Sequence, residues 1–226
     1  MSKTYVFGDI HGCREPLLEL LDKVNPDPYD DTLVFLGDYI DRGPDSKGVI
    51  DHLLHLSATF KKVITLKGNH EEVFLNYLNG KDINFFLGIG GEQTLQSYGI
   101  DFFSPPSKHN FPQDHLDFLL NLLPYWEDDN NIYVHAGLQP GVHLSQQSTR
   151  WLLWADGSQF FKQDHNFGKR VILGHTVQGK PLITQNSIAI DCGAVYGGAL
   201  TCLILPDEDF VEVKAEKYWP PPRQDM

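Results

Sequence analysis

Leu33-Val34-Phe35-Leu36-Gly37-Asp38-Tyr39-Ile40-Asp41-Arg42-Gly43 passes from a short apolar run directly into a charged loop bracketed by glycines. The same pattern recurs along the chain. Tyr5-Val6-Phe7 leads into Gly8-Asp9-Ile10-His11-Gly12, and Val63-Ile64-Thr65-Leu66 into Gly68-Asn69-His70-Glu71. Ile132-Tyr133-Val134 leads into His135-Ala136-Gly137, and Val171-Ile172-Leu173 into Gly174-His175-Thr176. Each apolar run reads as a buried strand, and each loop after it offers an Asp, Asn or His. Oxygen and imidazole donors brought from several strand ends suit a hard or borderline divalent cation. Open α/β sheets gather their sites at the carboxyl ends of the strands, which is where these donors fall.

Between the first three runs the apolar spacing becomes helical. Leu17, Leu18, Leu20 and Leu21 predict one helix, with Pro16 in its first turn. Val49, Ile50, Leu53, Leu54 and Leu56 predict a second, capped by Asp45 or Ser46, and Glu71 to Leu78 a third. The segment 79–130 has no cluster of metal donors. It contains Gly90-Gly91, Pro105-Pro106 and a leucine-rich run from Leu116 to Leu123, and is expected to be a mostly helical insertion. Beyond the insertion, strands are expected at Ile132-Tyr133-Val134, Val171-Ile172-Leu173, Ile188-Ala189-Ile190, Leu200 to Leu205 and Phe210 to Val213. With no long helix between these later strands, antiparallel pairing is expected. The expected fold is therefore α/β, with two facing sheets flanked by helices, built as a single domain over residues 1–226. The tail from Trp219 through Pro220-Pro221-Pro222 to Met226 is expected to form a cap or loose end.

Composition narrows the function. Thirty acidic residues against eighteen Lys and Arg give a formal charge of −12, which disfavours nucleic acid and anionic membranes as general partners. A single phosphate is still manageable if metal ions and an arginine make the site locally positive. Cys13, Cys192 and Cys202 are odd in number and form no CxxC pair, so buried thiols in a reducing compartment are expected. Tyr5 already belongs to the first expected strand, leaving no stretch for a signal peptide, and no apolar run reaches membrane-spanning length. A cytoplasmic location is expected.

Taken one at a time, an Asp-x-His or a Gly-Asn-His is more often a turn or a cap than a site. Their joint recurrence after strands is what carries the reading. Asp9, His11 and Asp38 are assigned to one ion, and Asp38, Asn69, His135 and His175 to another, with the Asp38 carboxylate between them. Two ions about 3.5–4 Å apart would hold a bridging hydroxide and polarise a phosphoryl group. His70 is expected to face the substrate and protonate the leaving oxygen, with Asp41 orienting its ring and favouring its charged form. Arg42 offers a planar fork for two phosphate oxygens.

Together these runs, with Ile190-Asp191-Cys192-Gly193-Ala194-Val195-Tyr196-Gly197-Gly198, resemble the PPP family of metal-dependent protein serine/threonine phosphatases on the calcineurin-like metallophosphoesterase fold. The short length and the last run are similar to its bacterial and phage-lambda-type members. The resemblance implies a phosphomonoesterase acting on phosphoserine and phosphothreonine in proteins or peptides. It implies two divalent ions, with manganese expected and iron or zinc as alternatives, and it places Tyr196 near the substrate. Symmetrical dinucleoside tetraphosphatases share the fold. Their second motif typically has Ala where this chain has Asp41, and their third has Asp where this chain has Glu71, so a dinucleoside polyphosphate hydrolase is the alternative. A catalytically silent binding module is the third reading, and it would be signalled by a lost ligand. Relatives usually carry a second phosphate-binding arginine between the last two metal histidines. Here Leu152-Leu153-Trp154 is followed by Ala155-Asp156, which leaves Arg150 and Arg170 as substitutes.

Overall fold

Strand and helix alternate from the start of the computed structural model, which describes residues 2–101, 103–162 and 165–220. The order is β1 (Thr4–Phe7), α1 (Arg14–Val24), β2 (Thr32–Phe35), α2 (Ser46–Thr59), β3 (Val63–Thr65) and α3 (Asn69–Leu78). β1 pairs in parallel with β2, and β2 with β3. Asp45 caps α2, its carboxylate accepting the Gly48 N–H at 2.8 Å.

The insertion is mainly helical, with α4 (Ile83–Phe86), a π-helical turn at Leu87–Gly91, α5 (Glu92–Ser97) and α6 (Gln113–Leu120). It ends earlier than expected. Tyr125–Glu127 forms a strand, β4, paired antiparallel with β5 (Asn131–Val134). Then come α7 (Thr149–Trp154), α8 (Gly157–Lys162), β6 (Arg170–Leu173), β7 (Leu182–Ile183), β8 (Ser187–Ala189), β9 (Ala199–Leu205) and β10 (Asp209–Lys214). Among the described residues these make two five-stranded sheets, ordered β10-β9-β1-β2-β3 and β4-β5-β6-β8-β7.

The expectation of antiparallel pairing holds for β9 against β1 and β10, and for β7 against β8. It fails in the middle of the second sheet, where β5, β6 and β8 run parallel. A parallel pair needs a crossover of about a dozen residues or more, but not one long helix. The short helices between residues 135 and 169 supply one crossover, and the 174–186 excursion through β7 supplies the next. The tail beyond Pro220 lies outside the described residues.

Period-two alternation sorts the strand residues into layers. Val6, Val34, Leu36 and Leu203 of the first sheet meet Tyr133, Ile172 and Ile188 of the second in one fully buried cluster. Tyr5, Phe7, Leu33 and Phe35 point the other way, onto Leu17, Leu20, Val49 and Leu53 of α1 and α2. On the far side, Ile132, Val134, Val171 and Leu173 pack on Leu152, Leu153 and Phe160 of α7 and α8. Fully burying each such side chain stabilises by roughly 1.5–3 kcal/mol. The inter-sheet cluster thereby fixes two sets of strand ends side by side. The three cysteines are buried free thiols. Among the described residues, no helix is long and apolar enough to cross a membrane.

Candidate active site

Six loops converge at the carboxyl ends of β1, β2, β3, β5, β6 and β8. Their backbone is held in unusual conformations: His11, Asp38, Asp41, Arg42 and His175 all have positive φ, between 47° and 71°. Non-glycine residues there cost roughly 1–3 kcal/mol each and persist only where the surroundings over-determine them. One such determinant is Glu71. Its fully buried carboxylate accepts the N–H groups of Asp38 at 3.0 Å, Tyr39 at 2.8 Å and Gly68 at 2.9 Å, so a single side chain joins the β2 loop to the β3 loop. Gly37, at φ +111°, has no room for a side chain: a Cβ there would lie 2.6 Å from the Gly68 nitrogen.

Asp38 occupies the centre. One of its oxygens lies 3.5 Å from His135 Nε2 and accepts the His70 N–H at 3.1 Å; the other lies 3.4 Å from His11 Nε2. His11 donates from Nδ1 to the Ile40 carbonyl at 2.9 Å, and His135 from Nδ1 to the Leu36 carbonyl at 3.0 Å. Both bonds fix the tautomer, so that each Nε2 lone pair turns toward Asp38. This arrangement is typical of ligating histidines. The Asn69 carboxamide oxygen sits 3.0 Å from His135 Nε2, and the His175 ring meets His135 edge-on at 4.9 Å. Asp9 accepts the His175 N–H at 3.1 Å through both oxygens. All six donors expected from the sequence are thus brought to one place.

Arg42 offsets only part of the charge in this cluster. Burial pushes Asp38 up to about 7. Burial, with Asp191 and Asp38 beside it, raises Asp9 well above the usual carboxylate range. Burial holds His135 and His175 down at about 3, so both rings stay neutral with lone pairs available. Crowded buried carboxylates next to neutral imidazoles are what a divalent cation would relieve, and the oxygen and nitrogen donor set fits such an ion. His11, Asp38 and His70 form one group compact enough to hold an ion, and Asp38, His135 and His175 a second.

His70 has its other nitrogen committed. Its Nδ1 lies 2.7 Å from Asp41 Oδ2, while its Nε2 is 4.0 Å from Asp38. Burial and the Arg42 charge push His70 well below its ordinary value, and burial pushes Asp41 well up. The expectation that Asp41 favours a charged His70 is corrected accordingly: burial of both groups outweighs their attraction.

Arg42 is half-buried at the cleft mouth. Its backbone N–H donates to the Gly90 carbonyl at 3.0 Å and its Nε to the Ile89 carbonyl at 3.2 Å. Nη1 lies 2.9 Å from His11 Nε2, and the guanidinium carbon is 5.6 Å from the centre of the Tyr196 ring. Arg42, His70, His175, Trp154 and Tyr196 line a cavity of about 430 Å³ over the clustered donors. Of the two substitute arginines, Arg170 is paired with Glu208 and donates to the Thr184 carbonyl, at the amino end of β6 and away from the site. Arg150 is exposed on α7 beside an adjoining cavity.

Three contributors escape the sequence reading. Asp191, 4% exposed, lies close enough to Asp9 and Asp38 to share their burial, and is pushed up to about 6. Its signal was present, since Ile188-Ala189-Ile190 precedes it and Cys192-Gly193 follows. Thr94 donates its hydroxyl to Asp41 at 2.6 Å, and Gly90 seats Arg42; both sit in the insertion, which has no recurring motif.

Known proteins resemble this chain over most of its length. Bis(5'-nucleosyl)-tetraphosphatase PrpE (asymmetrical) of Halalkalibacterium halodurans is 26% identical over 247 residues, covering 94% of each chain. The protein of that name from Bacillus cereus is 27% identical, covering 95% of this chain and 98% of its own. A crystal structure described as that of a proposed diadenosine tetraphosphatase superposes with a TM-score of 0.73 at 24% identity, over 95% of this chain and 94% of its own. A Saccharomyces cerevisiae protein serine/threonine phosphatase superposes with a TM-score of 0.65 at 18% identity, over 97% and 81%. These structures share the fold. Residues 2–179 match the calcineurin-like phosphoesterases, and the chain belongs to that family, whose members work with divalent metals.

Proposed function

We propose that this chain is a divalent-metal-dependent hydrolase of dinucleoside polyphosphates. The observation that carries the substrate class is the similarity to bis(5'-nucleosyl)-tetraphosphatases over nearly the whole of both chains. The sequence-based preference for phosphoproteins leaned on Glu71 and Asp41. Glu71 points into the backbone of two loops and lines no part of the cleft, so its identity says little about substrate. The proposal therefore replaces the protein-phosphatase expectation as the main reading.

Asp9, His11 and Asp38 would hold one ion, and Asp38, Asn69, His135 and His175 a second; manganese suits this donor set, as do iron and zinc. Ions held there supply Lewis-acid polarisation of a phosphoryl oxygen and acidify water. The protein's own groups do the rest. Arg42, anchored by the Ile89 and Gly90 carbonyls, presents its guanidinium edge to phosphate oxygens, with Tyr196 against the same guanidinium. His70 and Asp41 share a proton along their 2.7 Å contact. With two protons on the pair, an N–H stands at His70 Nε2 whichever partner holds the shared one. That N–H gives its proton to the departing oxygen, while the shared proton settles on Nδ1. Thr94 holds the other Asp41 oxygen in place. Three buried free thiols fit a reducing compartment, and a cytoplasmic location is proposed on that ground.

The His70–Asp41 pair itself favours a second reading, phosphoserine or phosphothreonine hydrolysis, because an alkoxide leaving group needs a proton donor more than a polyphosphate does. Steady-state assays of diadenosine tetraphosphate against phosphoserine and phosphothreonine peptides, with manganese, separate the two. Higher kcat/KM for the dinucleotide is expected, and a clear preference for the peptides would reverse the assignment.

A further inference from the structure

The cleft over the clustered donors has a second one beside it. Trp154, Ala155 and Asp156 wall the first cavity, and the same three residues line an adjoining cavity of about 510 Å³ with Arg150, Trp151 and Gln139. Trp154 is fixed in that shared wall. Its indole N–H donates to Glu72 at 2.7 Å, and its ring lies 6.2 Å from that of Phe85, an insertion residue 49% exposed. α7 therefore brings two tryptophans and an exposed guanidinium to a space that shares a wall with the site of chemistry.

Those groups match one kind of ligand. Aromatic faces stack on nucleobases with little preference among them, and a guanidinium fork receives phosphate oxygens. Asp156 adds negative charge to the shared wall, so the cation placed to receive a distal phosphate is Arg150. A phosphopeptide, with one dianion already in the first cavity, has no use for a second cation here. We propose that this adjoining cavity is the subsite for the second nucleoside 5'-phosphate of a dinucleoside polyphosphate whose scissile phosphate lies in the first. The inference rests on the substrate class proposed above. Arg150 thereby has a role different from that of a second clamp on the scissile phosphate.

The test uses Arg150→Gln and Trp151→Ala in the full chain, each assayed with manganese on diadenosine tetraphosphate and on 4-nitrophenyl phosphate, which lacks a nucleoside. For each variant the ratio of kcat/KM, dinucleotide over aryl phosphate, is expected to fall about 10-fold or more, mainly through KM: the size of one base-stacking contact for Trp151→Ala and of one charge-assisted hydrogen bond to phosphate for Arg150→Gln. Arg150 is exposed, so its variant reports even if Trp151→Ala folds poorly. If the parent cleaves the dinucleotide and Arg150→Gln keeps the parental ratio, the subsite is wrong while the substrate class stands. If the parent cleaves only the aryl phosphate, subsite and substrate class fall together. Reduced kcat/KM for phosphopeptides in these variants would mark the cavity as a peptide groove and overturn the proposal.

Discussion

Gly90→Ala tests how the insertion supports the chemistry. Gly90 sits at φ +111°, where a side chain is strained, and an added Cβ would lie 2.6 Å from Arg42 Cγ, 2.7 Å from its nitrogen and 3.0 Å from its Cα. A rotamer change relieves the first of these contacts but not the two with backbone. The backbone conformation alone costs roughly 1–3 kcal/mol, and weakening the Arg42 N–H to Gly90 carbonyl bond adds about 1 kcal/mol. A total of about 2–4 kcal/mol would lower Tm by about 4–16 °C in a chain of this size. The second effect is functional. Displacing Arg42 removes a charge-assisted hydrogen bond to phosphate, worth roughly 1.5–3 kcal/mol, so kcat/KM for 4-nitrophenyl phosphate should fall about 10–150-fold below the melting transition. Arg42→Ala should fall in the same range. Because Gly90 acts through Arg42, the double variant should be no slower than Arg42→Ala alone. A lowered Tm with parental kinetics, or losses that multiply in the double variant, would refute the coupling.

Chelation should abolish phosphoester hydrolysis and manganese should restore it, with Asp38→Asn the most damaging ligand change because Asp38 stands between both groups of donors. His70→Asn should slow alkyl phosphates more than aryl phosphates, by about 10²–10⁴-fold on the former, with metal content unchanged by elemental analysis; equal losses on both would make His70 a positioning group. Burial raises Asp38 above its unfolded value to about 7, so its contribution to the stability of the metal-free protein is complete below its unfolded value, in the acid range, and is lost as pH rises through 7. Relative to an Asp38→Asn variant, in which the buried neutral histidines make the same opposing contribution, metal-free Tm should accordingly fall between pH 5 and 8. Manganese affinity of the parent, by calorimetry, should rise over the same window as proton competition disappears; a flat response in both would contradict the buried-carboxylate account.

How much of this was legible in the sequence depends on which groups recur. Strand ends followed by Gly and a donor repeat along the chain, so Asp9, His11, Asp38, Asn69, His135 and His175 could be found by pattern and were found together in space. The helices α1 to α3 followed from their apolar spacing. β4 was hidden because three residues after Pro124 carry too little alternation to read. Thr94 and Gly90 act through contacts 48 or more positions away in sequence, which no local pattern records. The phosphoprotein expectation loses its support at Glu71 for a physical reason. Glu71 adjoins the third motif in sequence, yet its carboxylate braces the backbone instead of facing the cleft. Trp154, Ala155 and Asp156, which wall both cavities, come from α7 and the residues just after it, where the recurrent pattern is absent.

The split of donors between the two sheets has a consequence for biosynthesis. On the proposed assignment, Asp9, His11 and Asp38 all lie in the first parallel strand–helix unit, which leaves the ribosome long before residues 135 and 175 exist. An ion could be captured by that nascent unit, since domains begin to organise from the amino terminus during synthesis. The companion ion must wait until β5 and β6 dock against the first sheet. Loading would then be ordered in time, and release of a truncated chain carrying one tightly held ion would be its signature.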